Sequence, residues 1–282
     1  MGSRRRVRPP DRPQLETGYR GAVPRAPLVL VPPSEGKSAG GTRRRTHDTF
    51  ADLLASPRDD VRRALQSELS SRDRDAWGRL LGAKGELLDR VLMANAAASC
   101  DEGPWLPAWR RFTGVVWTYL DPATLSPAER SRVLVPSGLL GLSRGSDPVP
   151  DFRLGMKASL SGLGTLSTYW RPHVTTALTA ISKGRPVVDF LPNEHAAALG
   201  PEIVTSPMFV RVRFLSADGV SAAGHDAKAV KGVAIRVVLR EGLDALRSLD
   251  FAGWRTREDD GGYAIVAPRE SQRDVFLAQR GS

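Results

Sequence analysis

Five short apolar runs decide which folds are open to this chain, because the stretches between them carry apolar residues at helical rather than strand spacing. The runs are residues 28–31, 132–135, 187–191, 210–215 and 263–267. Each is about as long as a strand and too short for a stable helix, and each reads as a strand, the first as a buried one. The first stops at Pro32 and Pro33, which cannot donate ladder hydrogen bonds. Between the runs, Ser56, Pro57 and Asp59 place a cap, a first-turn proline and an acid ahead of Val61, Ala64, Leu65 and Leu69, which predicts a helix opening at Ser56. Ser126, Pro127 and Glu129 repeat that start signal. Further helices are predicted over residues 86–98, 166–180, 193–199 and 225–239. Helices and strands interleave with no long linker and no internal repeat, which predicts a mixed α/β fold in a single domain over residues 27–282.

Residues 1–26 are different in kind. Arginine, proline and glycine dominate there without apolar periodicity, so the segment cannot offset the entropy of ordering and is expected to be disordered. It reads either as a solvated tail or as an electrostatic arm for nucleic acid. The formal charge of the 282-residue chain is +10, and seven arginines of this leader supply much of it. The remainder is only moderately basic, a balance that permits a polyanionic partner and also simply raises solubility.

Several classes of function are disfavoured. The lone Cys100 has no internal disulfide partner, and His47, His173, His195 and His225 show no ligand spacing, so no metal site and no cofactor is expected. No apolar run approaches the roughly 18–20 residues that span a bilayer, and the arginine-rich start lacks a secretory hydrophobic segment; no membrane association and a cytoplasmic location are expected. Gly36-Lys37-Ser38 resembles the end of a phosphate-binding loop, but Val31 stands where that motif needs its first glycine. A lysine just beyond a strand end can still serve a crevice, or belong to an ordinary loop.

The most informative stretch contains Phe112-Thr113-Gly114-Val115-Val116-Trp117-Thr118-Tyr119-Leu120, then Ser137-Gly138-Leu139-Leu140-Gly141-Leu142-Ser143-Arg144-Gly145-Ser146-Asp147, then Phe152-Arg153-Leu154-Gly155-Met156 and Tyr169-Trp170. With Lys37 upstream, and Val188-Asp189-Phe190-Leu191-Pro192-Asn193-Glu194-His195, Lys228-Ala229-Val230-Lys231-Gly232-Val233-Ala234-Ile235-Arg236 and Gly262-Tyr263 downstream, it resembles the YaaA family of bacterial peroxide-stress proteins, also called the DUF328 or UPF0246 family. The resemblance covers nearly the whole domain in order. It implies YaaA-type topology, a positively charged cleft, a helix-hairpin-helix-like element at Ser-Gly-Leu-x-Gly, DNA binding and protection from oxidative damage. Matched position by position, the implied site residues are Lys37, Ser137, Gly138, Arg144, Asp147, Arg153, Met156, Trp170, Asn193, Glu194, Lys228, Lys231, Gly232 and Arg236. The chain departs from the family pattern at Val115, Trp117, Tyr119, Leu140, Phe152 and Gly155, where several polar groups are lost. The excess of arginine over lysine, with abundant alanine and glycine, fits a GC-rich bacterial genome.

The residues speak to part of this by themselves. On a helix over 225–239, Lys228, Lys231 and Gly232 share one side with Arg236 at its margin, opposite Val230, Val233, Ala234 and Val237. Glycine inside a helix costs roughly 1 kcal/mol against alanine, so Gly232 among cations suggests close approach by a backbone or a ligand. Gly138 and Gly141 form either a phosphate-facing turn or a packing turn. Arg144, Asp147 and Arg153 suit a loop in which one arginine pairs with Asp147 and the other meets an anion. Asn193 and Glu194 follow a strand, where α/β crevices form, and Glu194 reads as a general base or as the partner of Lys228 or Arg236. Two functions follow. The first is a DNA-binding protein of the peroxide-stress response that contacts phosphates through Lys37, Ser137, Gly138, Arg144, Arg153, Asn193, Lys228, Lys231, Gly232 and Arg236. The second is an enzyme on a nucleobase, nucleotide or other anionic metabolite, with Lys37 and Lys228 binding an anion or acting as base or nucleophile and Glu194 carrying a proton. A scaffold without chemistry is the third.

Overall fold

A computed structural model describes residues 25–42 and 47–268. The expected leader lies outside the described residues except at its end, where the Ala26 carbonyl accepts a hydrogen bond of 3.0 Å from Arg185.

Eight strands form one mixed sheet: β1 (Leu28–Leu30), β2 (Val133–Ser137), β3 (Gly141–Arg144), β4 (Val187–Asp189), β5 (Phe209–Leu215), β6 (Asp250–Phe251), β7 (Trp254–Asp259) and β8 (Gly262–Val266). Their order across the sheet is β6-β7-β8-β5-β4-β1-β2-β3. The five in the middle run parallel, from β8 to β2, and β3, β6 and β7 pair antiparallel at the two ends. Every residue of β1 and β4 is buried, the pattern of strands covered on both faces. All five predicted runs are strands here, within a few residues at each end.

The helices that cover the sheet include α1 (Ala51–Ser71), α2 (Arg74–Leu81), α3 (Gly85–Ser99), α4 (Val115–Leu120), α5 (Leu166–Ser182) and α6 (His225–Glu241). Helix α1 packs on α3 and α5, and α6 packs along α4 in the most extensive contact between elements. Among the described residues, no helix is long and apolar enough to cross a membrane.

Helix α1 corrects the predicted start at Ser56, because it opens five residues earlier, at Ala51, and holds Pro57 inside. Phe50 and Leu54 extend the buried stripe of Val61 and Leu65 upstream of the proline. Burying two such side chains gains more than the roughly 3 kcal/mol that an interior proline costs. The start at Ser126 is as predicted: its hydroxyl accepts from the Glu129 amide while the Glu129 carboxylate accepts from the Ser126 amide, ahead of the short helix Pro127–Arg130. The Ser-Gly-Leu-x-Gly segment, expected to be helix-hairpin-helix-like, is the tight turn of a β-hairpin in which Ser137 pairs with Gly141 between β2 and β3. Gly141 takes a left-handed φ of 68° there, which closes so short a turn.

Candidate functional site

The chain runs from β1 to β2 on one side and only later returns to β4 on the other, so the strand order reverses at β1. In parallel sheets, the crevice beyond the carboxyl ends of strands flanking such a reversal is where ligands bind. A cavity of about 1130 Å³ lies there. Its walls are the segments that leave these carboxyl ends: residues 32–37 after β1, Ser137 at the end of β2, residues 191–195 after β4, and β5 itself. The first turn of α6, the end of α2, residues 113–117 and the 152–158 segment complete it.

Lys37 sits in the first of these segments. Its backbone makes an antiparallel bridge with Phe112, and the Ser38 amide donates to the Arg111 carbonyl at 2.9 Å. The ammonium gives one hydrogen bond, 3.0 Å to the Ser34 carbonyl, and lies 4.4 Å from the centre of the Phe152 ring and 5.4 Å from that of Phe112. Phe152, one of the departures from the family pattern, thus gives Lys37 an aromatic wall. Burial pulls the lysine from its ordinary range down to about 7; Asp151 opposes that pull, and the Arg153 and Arg111 charges reinforce it.

On the next strand Ser137 is 2% exposed, and its hydroxyl has no hydrogen-bond partner among the described residues although it lines the cavity. A buried hydroxyl without a partner costs stability, which makes it a marker for something the site holds. Ser137→Ala is expected to leave stability unchanged or raise it by up to about 1 kcal/mol in a urea melt. A loss would mean that the hydroxyl is already satisfied.

Across β1, the end of β4 presents a second polar group. Asp189 is fully buried, accepts from the Leu191 amide at 2.8 Å and is paired with Arg211 of β5. The same guanidinium reaches the Leu191 carbonyl at 3.1 Å and the Asn193 side-chain oxygen at 3.2 Å, so Arg211 fixes the turn that carries Asn193 and Glu194. Burial pushes Asp189 upward and Arg211 opposes it. His195 is buried, and its Nδ1, 3.5 Å from a Glu194 carboxylate oxygen, makes no hydrogen bond among the described residues. Burial first, then the Lys231 charge, lowers it to about 4, so it is neutral at physiological pH. Lys231 lies 5.0 Å from the centre of the Phe214 ring; burial lowers it to about 8 against the pull of Asp189.

The cavity therefore brings together Lys37, Ser137, Arg153, Asn193, Glu194, Lys228 and Lys231 from the sequence reading. It does not include Gly138, Arg144, Gly232 or Arg236. Gly138 packs under the Leu154 carbonyl, 2.5 Å from where a Cβ would stand, and its own carbonyl accepts from Trp170 at 2.8 Å. Gly232 faces the backbone of α4, which resolves the choice between backbone and ligand in favour of the backbone. Arg236 borders a separate hollow with Asp121 and Arg240. The expected arginine pairing with Asp147 is not formed. Asp147 accepts from Thr49 and from the Arg144 amide, the Arg144 side chain donates to the Ser131 carbonyl, and Arg153 pairs with Glu35 at 2.5 Å. Met156 and Trp170 are fully buried core residues. Glu194 meets neither Lys228 nor Arg236 in an ion pair but stands beside His195.

Arg79, Lys157, Arg211, Arg213 and His195 also line the cavity and were not anticipated. A signal for Arg211 was present: an aspartate in the apolar run Val187-Val188-Asp189-Phe190-Leu191 demands a cation, and an arginine alternates with valine on β5. Among the described residues no cluster of potential metal ligands occurs, and Cys100 is free and exposed.

Comparison with known proteins places this architecture. A family model described as "Peroxide stress protein YaaA" matches residues 28–260. A UPF0246 protein of Streptomyces coelicolor is 32% identical over 243 residues, which span 79% of this chain and 90% of the relative. A UPF0246 protein of Corynebacterium efficiens is 28% identical over 230 residues, 80% of this chain and 90% of the relative. One from Corynebacterium glutamicum is 29% identical over 219 residues, 75% and 84% of the two chains. The match runs from β1 into the end of β7, across every segment that walls the cavity, and the chain belongs to the YaaA family of peroxide stress proteins.

Proposed function

We propose that the protein binds DNA through its phosphates in the cavity beyond the parallel strands, as a cytoplasmic component of the peroxide-stress response. One observation carries the reading. The walls hold eight lysine and arginine side chains against two carboxylates, and Lys37, Arg79, Lys157, Lys228 and Lys231 pair with no carboxylate among the described residues. Cations left unneutralised around a concave surface are what a polyanion requires. The second reading, an enzyme acting on a nucleotide or another anionic metabolite, draws its support from the floor, where Lys37 is near neutrality and the Ser137 hydroxyl is unused.

Fluorescence anisotropy of a labelled DNA duplex at about 50 and 200 mM salt tests the first reading. Neutralising four phosphates through the rim cations Arg79, Lys157, Lys228 and Lys231 gives a log-log slope near −3.6, so affinity should fall about 150-fold between the two conditions. No binding at the lower salt, or binding indifferent to salt, would remove it. Lys228 is exposed, so Lys228→Ala should change stability by less than about 1 kcal/mol while flattening the salt slope by about one unit. An unchanged slope would place Lys228 outside the contact surface.

A further inference from the structure

Phosphate contacts account for the rim of the cavity but leave its floor unexplained. Lys37 is held there more firmly than an anion ligand needs to be. The bridge to Phe112 fixes its backbone, the Ser34 hydroxyl accepts from the Thr113 amide at 2.9 Å to fix the loop before it, and two phenylalanine rings flank the amine. Among the described residues only one amine hydrogen is committed, to the Ser34 carbonyl. The neighbouring Arg153 is tied to Glu35 and the Leu81 carbonyl, and Asp151, whose charge favours the protonated amine, is itself paired with Arg90 at 3.0 Å, so neither carboxylate pairs with the amine among the described residues. Ser137, whose hydroxyl is buried with no hydrogen-bond partner among the described residues, lines the same cavity.

An amine so placed is a nucleophile toward carbonyl carbon, the use to which desolvated lysines are suited. We propose that Lys37 captures phosphate-bearing sugar aldehydes as an imine on the floor of the cavity. The phosphate part of this proposal rests on the anion-binding reading above. The Nζ lone pair adds to the aldehyde carbon, and the carbonyl oxygen takes up a proton to give a carbinolamine. The carbon–oxygen bond then breaks, water leaves and the nitrogen loses its remaining proton, so no oxidant or reductant is consumed. The Ser137 hydroxyl is available to donate to the carbonyl oxygen as it gains charge. With Lys37 near 7, about half of the chains carry the neutral amine at neutral pH. Two sources share this chemistry: the deoxyribose aldehyde left in a DNA strand where a base has been lost, and a free aldose phosphate.

The test is reductive trapping on the full chain. Protein is mixed with a duplex holding one abasic deoxyribose, or with ribose 5-phosphate, then treated with borohydride and mapped by peptide mass. The expected result is one adduct per chain, on Lys37, with trapping half-maximal near pH 7 rather than near the ordinary lysine value. Lys37→Arg, which keeps the charge but cannot form an imine, should lower trapping at least about tenfold, whereas Lys84→Arg, an exposed lysine outside the cavity, should not. An adduct from the duplex alone assigns the strand as the source, and one from ribose 5-phosphate alone assigns the free sugar. Adducts scattered over surface lysines, or none with either probe, would overturn the proposal, and mapping the wild-type chain gives that answer even if a variant misfolds. Intact-duplex binding measured beside it separates the failures. Binding without an adduct removes the capture step alone, and absence of binding removes the anion-binding reading.

Discussion

Arg111→Met is expected to destabilise the protein by about 3–5 kcal/mol, roughly 10 °C in melting temperature. Arg111 is fully buried and pairs with no carboxylate among the described residues. Its guanidinium is instead the donor for four carbonyls: Val149 at 3.1 Å, Gly40 at 3.0 Å, Pro104 at 2.7 Å, and Ser38. Methionine fills similar volume and removes the cost of burying a charge. It also strands several acceptors in a place water reaches poorly, and that loss dominates. The Ser38 and Gly40 carbonyls belong to the segment that follows Lys37, so the variant should also loosen the floor of the cavity. Differential scanning calorimetry decides the matter, and a melting point within about 2 °C of wild type would show that these carbonyls find other donors.

Gly232→Ala should cost about 2–3 kcal/mol, although alanine is the better helix former by about 1 kcal/mol. A Cβ at this position would fall against the Val116 carbonyl oxygen, 2.7 Å from Tyr119 Cβ and 2.8 Å from the Leu120 nitrogen. These atoms belong to the backbone of α4 or sit directly on it, so they cannot swing aside as the end of a long side chain could. Helices α4 and α6 must separate, and the pull-back would displace residues 113–117 and the first turn of α6, both walls of the cavity. The measurement is a denaturant melt beside a duplex titration. A more stable variant, the usual result of glycine to alanine in an exposed helix, would mean that the two helices already stand apart.

The parts legible in the sequence were those in which local chemistry and tertiary packing agree. The runs at 28–31 and 187–191 became β1 and β4 because a buried parallel strand needs only apolar continuity, and Ser126 with Glu129 became a reciprocal cap because both partners lie within one turn. The signals that failed were ambiguous until packing settled them. Ser56 and Pro57 read as a helix start, yet the core wanted Phe50 and Leu54, residues whose apolar character says nothing of where a helix opens. Strand β7, whose residues 255–259 are all polar or charged, carries no apolar run and is held by its pairing with β8. Asp73 and Gly82 do cap α2, through the Ala76 amide and a left-handed φ of 59°, but that eight-residue helix is too short for periodicity to announce it. At the site, the resemblance brought Lys37, Ser137, Lys228 and Lys231 to one cavity, while Gly138 and Gly232 proved to be glycines for packing. A sequence motif marks positions that tolerate little change, and close backbone approach restricts a glycine as tightly as a ligand does.

Whether the cavity or the net positive charge of the chain holds the anion is decided by a duplex titration at a single ionic strength with two variants that lose the same charge. Lys228→Ala/Lys231→Ala removes two cations from the cavity wall, and Lys84→Ala/Lys183→Ala removes two exposed cations outside it. If the cavity is the site, the first pair weakens binding at least about tenfold, from two lost phosphate contacts, while the second changes it by less than about threefold. Equal losses from both pairs would contradict it, because the anion would then be responding to total charge and not to the site.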